Sequence, residues 1–64
     1  MMSNFKERLT KEYMELVEKI NKLENFIIGD IFTSIDPIQQ SLLKVQLKAM
    51  QTYEQCLTER MSAL

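Results

Sequence analysis

The sequence predicts an all-α fold, an antiparallel two-helix hairpin that assembles into a homo-oligomeric helical bundle. Three observations carry that expectation. Apolar residues recur at three- and four-residue spacing over two long stretches, and Gly29 with Asp36-Pro37 punctuates the chain between them. In the second stretch the apolar stripe is wider than one partner helix covers. The 64 residues make a single domain, 1–64, too short for a core that stands alone without a disulfide, a metal or self-association. One cysteine excludes an intrachain disulfide, and the absence of histidine removes the usual zinc, copper and haem sets, so self-association remains.

The first helix is expected over about residues 4–28, capped by Ser3 or Asn4 and with Glu7 in its first turn. Leu9, Tyr13, Leu16, Ile20, Leu23 and Ile27 form an unbroken seam on it, with Phe5, Val17 and Phe26 beside it. Its outer face sets Glu7 before Lys11, Glu15 before Lys19 and Glu18 before Lys22, each four residues apart, which reads as a solvated face.

A connection over about 29–36 follows, with Gly29 as a left-handed cap and Asp30–Ile35 lacking helical period. Ile31, Phe32 and Ile35 are apolar enough to plug the closed end of the hairpin. Asp36 then caps a second helix over about 37–62, with Pro37 in its first position and Gln39 placed for a capping box. The stripe there is Leu43, Leu47, Met50, Leu57, Met61 and Leu64, flanked by Leu42, Val45, Ala49, Tyr53 and Cys56.

Folding back about residue 32 or 33 pairs positions whose numbers sum to about 65. Leu23 then meets Leu42 and Leu43, Leu16 meets Ala49 and Met50, and Leu9 meets Leu57. Tyr13 comes near Tyr53, while Phe5 and Arg8 come near Arg60 and Met61. Gln46, Tyr53 and Arg60, seven residues apart, share a row at the edge of the stripe.

That row has two readings. In the structural one, Gln46 fixes register, Tyr53 buries its ring and Arg60 pairs with Glu12 or Glu7. In the other, it is a ligand-binding site: Arg60 offers a fork for phosphate, Tyr53 a face for a nucleobase and Gln46 a two-way hydrogen bonder, with Arg8, Lys11 and Tyr13 contributing from the facing helix. Nothing points to an enzyme, because a histidine base, a Gly-rich phosphate loop and a metal-spaced cluster are all missing, so no catalytic residue, metal or cofactor is expected. Cys56, on the apolar side of its helix, reads as a small hydrophobe, Met50 and Met61 read as packing, and Met14 stays open.

The formal charge of −1, from eight basic and nine acidic residues, offers no field for extended nucleic acid. No apolar run has the length of a membrane span and the N-terminus lacks a signal-peptide layout, so the chain reads as cytosolic.

Phe5-Lys6-Glu7-Arg8-Leu9, Lys19 to Ile27, Leu42 to Tyr53 and Leu57-Thr58-Glu59-Arg60 together resemble the short helical-hairpin proteins of crAss-like and other tailed phages. More loosely, the chain is similar in size and hairpin form to phage anti-CBASS nucleotide sponges. The resemblance implies a phage protein acting in the host bacterial cytoplasm, a homo-oligomer that antagonises bacterial defence by holding a cyclic nucleotide or related immune signal. The alternative is a helical protein–protein interaction module, either an inhibitor of a host defence protein or a structural phage hairpin.

Overall fold

The computed structural model describes residues 2–64, with side chains from residue 4 onwards. Two α-helices of 26 residues each, α1 (Met2–Ile27) and α2 (Pro37–Ser62), run antiparallel and are joined through a short 3-10 helix, Asp30–Ser34. No strand occurs among the described residues, so the all-α expectation holds. Helix α1 starts at Met2, which places Ser3 and Asn4 inside its first turn rather than at the cap. The Asn4 carbonyl instead accepts a hydrogen bond from Arg8 Nε at 3.4 Å.

The core is small and centred on α1. Leu9, Leu16 and Ile20 of the expected seam are buried together with Leu57 of α2, and Tyr13, Leu47, Met50 and Met61 pack around them. Leu57 has no exposed surface. Leu9 and Leu57 therefore meet as the fold-back requires.

Two of the expected contact residues are largely open to solvent. Leu42 is 54% exposed and Ala49 is also exposed, while their neighbours Leu43 and Met50 are half-buried. Val45, 65% exposed, lies on the side away from α1, since it is two residues from both Leu43 and Leu47, about 200° round the helix, and cannot share their face. Leu64, expected on the stripe, is 58% exposed beyond the end of α2.

One side-chain contact departs from the symmetric pairing. Gln51 Nε2 reaches Glu24 Oε2 at 3.5 Å, further along α2 than a symmetric fold-back would bring it. The molecule is 48 Å long, whereas a 26-residue helix spans about 39 Å.

At the closed end the plug is Phe32. It is buried, meets Phe26 edge-to-face with centroids 6.1 Å apart, and carries Lys44 Nζ 5.7 Å above its ring. Ile35 is half-buried and Ile31 faces solvent. Gly29 is not a left-handed cap: its φ of −84° and ψ of 168° are extended. What it supplies is room, since a Cβ there would lie 3.3 Å from the Asn25 carbonyl oxygen and 3.4 Å from that of Phe26.

Asp36 caps α2 as expected, accepting from the Ile38 N–H at 2.7 Å, with Pro37 in the first turn. Gln39 stays exposed. Gln40, one residue on, donates through Nε2 to the Ile35 carbonyl at 2.9 Å and the Thr33 carbonyl at 3.5 Å. The 3-10 turn leaves its last carbonyls without helical partners, and the side chain that can reach them is the one on the inner face of α2.

Candidate functional site

At the open end, where the first turns of α1 meet the last turns of α2, Phe5, Arg8, Leu9, Glu12 and Arg60 line a cleft of about 310 Å³. That is near the lower limit for small-molecule sites. The seam fixes its floor, because Leu9 is buried and the side chains three and four positions away rise at its rim. Arg60 reaches it from the last turn of α2, where a cation also complements the helix C-terminus.

Neither guanidinium makes an ion pair among the described residues. The expected pairing of Arg60 with Glu12 or Glu7 is thus not formed, although Glu12 shares the cleft. Two arginines, one carboxylate and the half-exposed ring of Phe5 thus line the cleft, with the Nε–H of Arg8 directed to the Asn4 carbonyl.

The other candidates lie elsewhere. Lys11 is on the outer face, 3.9 Å from Glu15, and lines a larger open hollow of about 700 Å³ around Met14, which is 64% exposed. Of the three Glu-before-Lys pairs, Glu18 with Lys22 is present at 3.3 Å. Tyr13 is half-buried against the core. Gln46 and Tyr53 are exposed on α2, with Tyr53 45% exposed, and they continue the row from Arg60 outside the cleft.

Phe5, expected beside the α1 seam, is the cleft residue that the sequence did not place in the site. Its proximity to Arg8 and Arg60 in the fold-back was the available signal.

A model of the family described as Sequestin matches residues 3–63. The chain belongs to the Sequestin family. It is also 33% identical over 61 residues, 95% of each chain, to the uncharacterized 7.5 kDa protein in the denB–rIIB intergenic region of Enterobacteria phage T4. No solved structure matches.

The Sequestin match covers both helices and the connection, so the cleft and the α2 row lie within the family's shared region. With the T4 relative, it supports the expectation of a short phage protein. Among the described residues no helix is long and apolar enough to cross a membrane, and no group of ligating side chains is placed to hold a metal ion.

Proposed function

We propose that this Sequestin-family chain is a phage-encoded, non-catalytic binding protein that acts in the host bacterial cytoplasm and blunts bacterial defence by sequestering a cyclic nucleotide or related immune signal. The observation that carries the reading is the Arg8–Arg60 cleft, with two guanidinium groups outside any ion pair among the described residues and Phe5 beside them. Guanidinium forks match phosphate oxygens, and an exposed aromatic ring offers a stacking surface for a base. The family name supports sequestration as the mode of action. The looser likeness to anti-CBASS sponges supports a cyclic nucleotide as the ligand.

The test is a thermal-shift panel of cyclic mono- and dinucleotides. A ligand bound only by the folded state stabilises it by about 2.7 kcal/mol at one hundred times Kd, which raises the melting temperature of so small a protein by several degrees. Ligand released by heating should be recovered chemically unchanged by mass spectrometry. A flat panel counts against sequestration, and a processed ligand counts against a non-catalytic mechanism.

A second reading, a helical interaction module, draws on a different observation: the exposed side of α2 is apolar along much of its length.

A further inference from the structure

Helix α2 carries a second seam that α1 does not cover. Ile38, Leu42, Val45, Ala49, Thr52 and Cys56 follow one another at spacings of four, three, four, three and four, the pattern of a coiled-coil face. All six are exposed, Ile38 at 69%, Leu42 at 54% and Val45 at 65%. The one hydroxyl in the series is already committed, since Thr52 Oγ1 donates to the Lys48 carbonyl at 3.1 Å, so covering this face strands no side-chain donor.

We propose that this face docks on the same face of a second copy, with the two α2 helices antiparallel about a twofold axis. A second copy is the fitting occupant on two grounds. Among the described residues the hairpin alone buries only Leu9, Leu16, Ile20, Leu57 and Phe32, little for a 64-residue chain without a disulfide. Its flanking charges are also self-complementary in one direction. Lys44 and Lys48 lie along one edge of the seam in the first half of α2, and Glu59, three residues after Cys56, takes the next seam position on the side of that edge. An antiparallel pair brings the lysines of one copy towards Glu59 of the other. A parallel pair would face that edge with the other copy's Gln46, Tyr53 and Arg60 row, leaving Lys44 and Lys48 without a carboxylate.

With Ala49 level with Thr52 of the second copy, Val45 stands opposite its Cys56 and Ile38 opposite its Ala63. The polar row Gln46, Tyr53 and Arg60 borders the seam, so two such rows run side by side in opposite directions and each cleft at Arg60 opens beside residues of the other chain. Under the sequestration reading, the ligand site is complete only in the pair.

Assembly is tested without ligand, so its outcome is separable from that of the binding panel. Light scattering at micromolar concentration should return twice the chain mass of 7.6 kDa, or a multiple of that pair. Under mild oxidation Val45→Cys should form a covalent dimer through the native Cys56, while the unaltered chain, its two Cys56 far apart, should not. Val45→Glu should return the monomer mass with helicity retained by circular dichroism. A monomer mass for the unaltered chain, cross-linking through Cys56 alone, or no cross-link in Val45→Cys would each overturn the proposal.

Discussion

The two helices are equal in length and opposite in design. Helix α1 has one apolar face, buried through Leu9, Leu16 and Ile20, and its outer face carries ion pairs such as Glu18–Lys22. Helix α2 is apolar on two sides, one packed on α1 through Leu47, Met50, Leu57 and Met61, the other exposed through Ile38, Leu42 and Val45. A helix with one such face completes a hairpin, whereas a helix with two belongs inside a larger bundle. In this protein the difference divides labour: α1 stabilises the fold, and α2 both closes it and presents a surface.

Substitutions on the two sides of α2 should therefore differ in kind. The largest effect is expected from Leu57→Ala, which empties a fully buried position and should cost about 2–5 kcal/mol in urea unfolding. Leu47→Glu, two residues from Val45, should unfold the hairpin, because Leu47 packs on its core and a carboxylate there loses its water. If Leu47→Glu and Val45→Glu gave the same loss of helicity, the division of faces would be wrong. Removing the cap with Asp36→Ala should cost about 1 kcal/mol, read as a lower melting temperature, because the Ile38 N–H loses its acceptor. The smallest effect belongs to the solvated face of α1, where Lys22→Ala should change stability by no more than about 0.5 kcal/mol. A larger loss there would mean that this face is covered by something.

These differences also explain what was legible in the sequence. Both helices, the buried members of the α1 seam and the Asp36 cap follow from spacing and capping chemistry, which act locally. The stripe of α2 that packs on α1, through Leu47, Met50, Leu57 and Met61, is also the one the spacing names. Spacing does not show that its flanks, Leu42, Val45 and Ala49, belong to a separate exposed face, because that depends on the tertiary pairing. Gly29 shows a similar limit: a glycine after a helix fits a left-handed cap and a close backbone approach equally well, and the Asn25 and Phe26 carbonyls decide for the second. In the candidate site, Arg8 and Arg60 were found by folding the chain back on itself. Lys11 could have been left out by the same logic, since it lies two residues from both Leu9 and Tyr13 and so points away from the seam they define.

The central claim is that the arginine cleft at the open end binds an anionic nucleotide signal. Isothermal calorimetry tests it most directly, with the cyclic nucleotide giving the largest thermal shift titrated into the unaltered protein and into Arg60→Ala, both checked for equal helicity and mass. A charge-assisted hydrogen bond is worth about 1.5–3 kcal/mol, so the account predicts an affinity loss of at least about tenfold in the folded variant. Equal affinity in the two proteins, or no binding heat from the unaltered chain across the panel, would contradict it.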